Sequence, residues 1–156
     1  KMFMKMSKIV CQLNAITSYV IIFLFTYTSV SKLIDHVAFE STLLQSPVIR
    51  HYATFASWFI PLIELFVVAL LLFQRSRYVG LLASLALMIS FTVYIGYMLL
   101  FIPHLPCSCG GVLQQLSWPN HILFNSSFII LIIAALLTNS EHKLFIAINR
   151  TSRKPV

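Results

Sequence analysis

Polar and apolar positions along this chain segregate into blocks much longer than a helical turn. Residues 9–31 contain no Asp, Glu, Lys or Arg and are bounded by Lys8 and Lys32. At about 1.5 Å per residue, such a run crosses a hydrocarbon core of about 30 Å as a helix. A second apolar run lies between Arg50 and Arg75, strongest over 55–73 and broken only by Glu64. From Tyr78 to Ser140 none of the four charged residue types occurs. That stretch is too long for one helix, and Pro103-His104-Leu105-Pro106-Cys107-Ser108-Cys109-Gly110-Gly111 divides it. Proline lacks the helical donor and glycine favours non-helical backbone, so both interrupt. The pattern predicts an all-α, four-transmembrane-helix bundle in one membrane domain, residues 1–156, with spans at 9–31, 54–74, 78–102 and 121–139. A loop at 103–120 and a tail at 140–156 complete it.

Between the first two spans, Leu33, Val37, Glu40 and Leu44 recur at helical spacing, with Ile34, Ala38 and Ser41 beside them. This predicts an amphipathic interfacial helix ending at Pro47. Lys32 and Asp35 are placed to pair on it at i,i+3. Ser117 is the expected N-cap of the fourth span, with Pro119 in its first turn. Trp58 and Trp118 are expected at membrane interfaces. Gly80 with Ser84, and Ala86 with Ser90, are small-residue pairs suited to close helix contact.

Composition supports the membrane reading. Of 156 residues, 59% are hydrophobic and 10% charged, where a soluble domain carries roughly 25% charged residues. The basic run before 9–31 raises the question of a signal peptide, but the apolar stretch is longer than a typical h-region and no clean cleavage site follows, so a retained helix is expected. The net charge of +7 is spread around the spans rather than interleaved with aromatics, which argues against nucleic acid. Lys1, Lys5, Lys8, Arg75, Arg77, Lys143, Arg150, Arg153 and Lys154 fall at one end of the spans, and only Lys32 and Arg50 at the other. The positive-inside rule then puts both termini in the cytoplasm and the 32–53 and 103–120 connections outside.

On that side lie Cys107 and Cys109. A disulfide across one intervening residue is awkward in geometry and would therefore be labile and oxidising. Three readings stay open: redox exchange, a structural or intermolecular bridge, and metal binding. His104, Cys107, Cys109 and His121 together supply a nitrogen and sulfur set for Zn²⁺ or Cu⁺. His121 has a second reading, as a local hydrogen-bonding group or a tuner of a neighbouring thiol. Cys11, at the opposite membrane face, is expected to be an inert buried thiol.

Glu64 is an acid in mid-span. Its insertion cost of at least about 2.5 kcal/mol directs it to the bundle interior. There it acts as a packing carboxyl or handles protons, with Tyr19, Thr26, Tyr27, Thr92, Tyr94 and Tyr97 as candidate partners. Pro61, one turn earlier, is expected to free a backbone carbonyl near it.

The residues Ser31-Lys32-Leu33-Ile34-Asp35, Phe39, Ser46-Pro47, Pro61-Leu62-Ile63-Glu64-Leu65 and Arg75 resemble those of DoxX-like membrane proteins. Phe91-Thr92-Val93-Tyr94, Pro106-Cys107-Ser108-Cys109-Gly110-Gly111, Leu116-Ser117-Trp118, His121 and Asn125 resemble the methylamine-utilisation MauE branch of that group. The resemblance implies a bacterial inner-membrane protein linked to disulfide chemistry in the periplasm, working with a thioredoxin-like or other cysteine-containing partner. It makes Cys107 and Cys109 the redox pair, and Glu64 and His121 fall on family positions. A membrane quinone is the candidate electron acceptor. The competing functions are an accessory or maturation subunit of a larger membrane complex, and a Zn- or Cu-binding membrane protein.

Overall fold

The computed structural model describes the backbone of residues 2–101 and 118–151 and the side chains of 12–101 and 120–138. Every regular element among the described residues is helical: α1 Met2–Ile34, α2 His36–Gln45, a 3₁₀ turn Arg50–Tyr52, α3 Ala53–Leu72, α4 Arg77–Phe101 and α5 Trp118–Thr151. Among the described residues four stretches are long and apolar enough to cross a membrane, Gln12–Ile34, Arg50–Leu72, Arg77–Phe101 and Asn120–Thr138. The four-span helical bundle expected from hydropathy is therefore the fold. In lipid each such helix satisfies its own backbone polar groups.

Local chemistry sets the breaks. Ser46 precedes Pro47, whose ring disfavours helical backbone in the residue before it. Ser46 is accordingly extended, at φ −79° and ψ 122°, and α2 stops there. At the far end of α3, Phe73 is extended. The Ser76 hydroxyl donates to the Leu70 carbonyl at 2.8 Å, which otherwise lacks a helical partner. Pro61, fully buried inside α3, has no N–H to give the Ser57 carbonyl one turn before it.

The spans pack in cyclic order: α1 on α3, α3 on α4, α4 on α5 and α5 on α1. Two apolar layers hold the bundle. In one, Ile21 and Phe25 of α1 meet Val67, Val68 and Leu71 of α3, Leu81 and Met88 of α4, and Ile132 and Ala135 of α5. The other is Phe39 and Leu43 of α2 on Ala53 of α3. Gly80 lets α4 approach α3 closely: a methyl group there would lie 3.0 Å from the Leu71 backbone nitrogen. Ser84, one turn on, is fully buried, so the first small-residue pair is a packing site. The second pair, Ala86 and Ser90, is exposed in this chain.

The connecting helix exists but presents a different face from the one its spacing suggested. Phe39 and Leu43 are buried, whereas Ile34, Val37 and Leu44 are exposed at 82%, 80% and 52%. Both faces are apolar, and the bulkier ring of Phe39 takes the interior. Thr54 donates to Glu40 at 2.6 Å, and the His36 ring lies 4.3 Å from that of Trp58. These contacts seat α2 against α3. Trp58 itself is about half exposed.

Candidate functional site

Charge in the bundle interior is concentrated at one pair. Lys32, two residues from the end of α1, is buried and turns inward rather than toward Asp35. Its ammonium donates to Glu64 Oε1 at 2.5 Å. The second carboxylate oxygen, Oε2, accepts from the Ser29 hydroxyl at 2.8 Å. Glu64 is 1% exposed, so both its oxygens are matched inside the protein. The ammonium also faces two rings, with the Phe91 centroid at 5.0 Å and that of Phe39 at 5.7 Å. At such distances the negative ring face attracts a cation, more strongly where water is excluded.

Helical spacing explains how these groups converge. Ile21, Phe25, Thr28, Ser29 and Lys32 recur at three or four residues and share the inward stripe of α1. On α5, His121 and Asn125 stand one turn apart, both buried. On α4, Phe91, Tyr94 and Ile95 take the equivalent place. Together these side chains enclose a cavity of about 250 Å³. Its walls are mostly apolar, with Leu24, Phe25, Ile60, Met88 and Phe124 among them, and Lys32, Glu64, Tyr94, His121 and Asn125 supply the polar groups. It lies between the two apolar layers, since Phe25 and Met88 belong to one and Phe39 and Leu43 to the other.

Two features of the cavity bear on what it can hold. Ser90, an exposed residue midway along α4, is part of its lining, so the cavity reaches the outer surface of the bundle at membrane depth. His121 is 5% exposed and its Nδ1 has no hydrogen-bond partner among the described residues. A buried ring nitrogen in that state leaves its desolvation uncompensated.

Of the partners expected for Glu64, Tyr94 shares its cavity. Tyr19 and Tyr97 are exposed at 62% and 40%, and the Thr92 hydroxyl is engaged by the Met88 carbonyl at 2.7 Å. The carboxylate accepts from Lys32 and Ser29. In sequence Lys32 closes an uncharged run, the usual place of a membrane-boundary residue. The overlooked signal was its place on the Ile21–Phe25–Ser29 stripe, together with the need of an intramembrane acid for a cation.

Cys107, Cys109, His104 and Ser117 lie outside the described residues, as do the side chains of Cys11 and Trp118. The flanking positions are described: α4 ends at Phe101 and α5 begins at Trp118, at the end of the bundle that holds the cavity and α2. Among the described residues no three His, Cys, Asp or Glu side chains cluster as a metal site, and of the metal alternative His121 alone is placed, in the cavity wall.

A family model described as methylamine utilisation protein MauE matches residues 10–138. Neither the curated proteins nor the solved structures contain a match to the chain.

Proposed function

Because the chain belongs to the family of methylamine utilisation protein MauE, and is a multi-pass membrane protein with four spans, we propose that it is a redox-associated accessory protein. In this reading it sits in the bacterial inner membrane, with both termini cytoplasmic, and acts in a methylamine-utilisation system. Its work is thiol–disulfide exchange between Cys107-Ser108-Cys109-Gly110-Gly111 and a periplasmic thioredoxin-like partner. A partner thiolate attacks one sulfur of the Cys107–Cys109 disulfide, giving a mixed disulfide and releasing the other sulfur as thiolate. The partner's second thiol then resolves the mixed disulfide, leaving the partner oxidised and Cys107 and Cys109 as dithiol. A two-electron acceptor must restore the loop pair, and a membrane quinone is the class proposed.

The observation that carries the reading is the asymmetry of basic residues about the spans: nine Lys and Arg fall at one end in sequence, and only Lys32 and Arg50 at the other. That bias favours an outward, oxidising location for the loop between Phe101 and Trp118. Glu64 and His121 line the cavity at the same end of the bundle and are read as tuning or proton-handling groups.

Two measurements test this. An alkaline phosphatase fusion within 103–117 should be active, and one after Thr151 inactive; the reverse pattern removes the orientation. Cys107→Ser and Cys109→Ser variants should trap a mixed disulfide with a periplasmic protein. If neither does, and the wild-type pair never changes redox state in the membrane, the exchange reading fails.

A further inference from the structure

The geometry points to the cavity between Lys32, Tyr94 and His121 as a binding site for the head group of a membrane quinone. Its capacity of about 250 Å³ equals the liquid volume of about eight waters, the scale of a one- or two-ring head group. Access at Ser90, halfway along a transmembrane helix, selects a ligand that arrives through lipid. Charge selects further. The carboxylate of Glu64 already matches the ammonium of Lys32, so an anion would bring an uncompensated negative charge into an apolar site and a cation would face the ammonium. A neutral ligand fits.

The polar atoms on offer call for acceptors. An ammonium has three N–H donors. Glu64 Oε1 takes one, and the rings of Phe39 and Phe91, which offer no strong acceptor, lie beside the ammonium. His121 lines the same space, and its buried Nδ1, which has no partner among the described residues, donates when it carries the proton. A quinone meets these terms with carbonyl oxygens that only accept and a flat ring for aromatic walls.

This inference deepens the exchange reading, on which it rests for its source of electrons. The balance is two thiols and one quinone giving one disulfide and one quinol: Cys107 and Cys109 lose two electrons and two protons, and the two quinone oxygens gain them.

The test uses the full chain in nanodiscs, titrated separately with a short-chain ubiquinone and with menadione. Binding is followed by the midpoint of thermal unfolding, which a ligand of the folded state raises with its concentration. A saturable rise is expected with at least one quinone. His121→Leu should weaken binding about tenfold, the size of one buried hydrogen bond. Ile95→Phe, which fills the cavity from its apolar wall, should weaken it while the unliganded protein still unfolds cooperatively. A protein lacking both Cys107 and Cys109 should bind quinone normally. No saturable shift with either quinone, affinity unchanged in both cavity variants, or equal binding of oleate overturns the site. Thiol exchange without quinone binding overturns this inference and leaves the exchange reading standing; quinone binding without exchange does the reverse.

Discussion

Replacing Lys32 with Met keeps the length of its stem and removes the charge that Glu64 faces at 2.5 Å. Glu64 then retains only the Ser29 hydroxyl, at 2.8 Å on Oε2. Side-chain exposure of the pair is 8% and 1%, and the cavity beside it is mostly apolar, so water at the vacated position would find few other partners. Breaking a buried pair from one side costs about 3–5 kcal/mol, because the remaining charge is uncompensated. Glu64→Leu should cost a similar amount by stranding the ammonium between Phe39 and Phe91. The double variant strands no charge, leaving only the Ser29 hydroxyl without its carboxylate acceptor, and apolar replacement of both partners is often neutral or stabilising by about 1–4 kcal/mol. The double-mutant cycle should therefore be strongly non-additive, with a coupling of about 3 kcal/mol or more. Equilibrium unfolding in bicelles by steric trapping reads all four corners of the cycle. Single-variant losses that add to within about 0.5 kcal/mol, or a double variant less stable than either single, would refute the argument. Either result would mean that the pair is wetted or unformed in the folded protein.

Further substitutions probe the surroundings. Gly80→Ala drives a methyl group to 3.0 Å from the Leu71 backbone nitrogen; this backbone cannot yield as a side chain does, and a loss of about 1–3 kcal/mol is expected in the same unfolding assay. Gly96→Ala is its counterpart, with nothing within 4 Å of the added carbon, and should stabilise by about 0.5–1 kcal/mol through helix propensity. Ser29→Ala removes a hydrogen bond to a buried carboxylate and should cost about 1.5–3 kcal/mol. Thr54→Val deletes the exposed link to Glu40 and should change stability by no more than about 0.5 kcal/mol.

The spans were legible because insertion into lipid leaves a direct mark, the removal of charge over twenty or so residues. The α3–α4 contact at Gly80 was legible too, since close approach needs a small residue whatever the neighbour. The face of α2 was not. Val37 and Leu44 are as apolar as Phe39 and Leu43, and in an apolar surrounding the hydrophobic pattern no longer separates interior from exterior. Ser90 was ambiguous for a related reason: a small residue on a transmembrane helix serves a packed interface or the lip of a cavity equally well. For the site, Glu64 announced itself as an acid without water, but its partner was disguised. Lys32 sits where a lysine commonly ends a span, and only the stripe from Ile21 through Ser29 assigns it to the interior. The convergence of His121 and Asn125 on the same cavity depends on the order in which the helices surround it, which one sequence does not specify.

The pairing of Lys32 with Glu64 also imposes a schedule on synthesis. Thirty-two residues separate the two, and at about 5–20 residues per second Glu64 follows Lys32 by roughly 2–6 s. Throughout that interval the lysine lacks the carboxylate it meets in the folded protein, and Asp35, three residues on, is the acid nearest to it in sequence. Its place near the end of α1 lets the long stem carry the ammonium to the headgroups while the rest of the helix enters the bilayer. The same residue then withdraws into the bundle once α3 arrives with its carboxylate. The charge that marks the end of the first span for the insertion machinery thus becomes, in the assembled protein, the latch between the first and third helices.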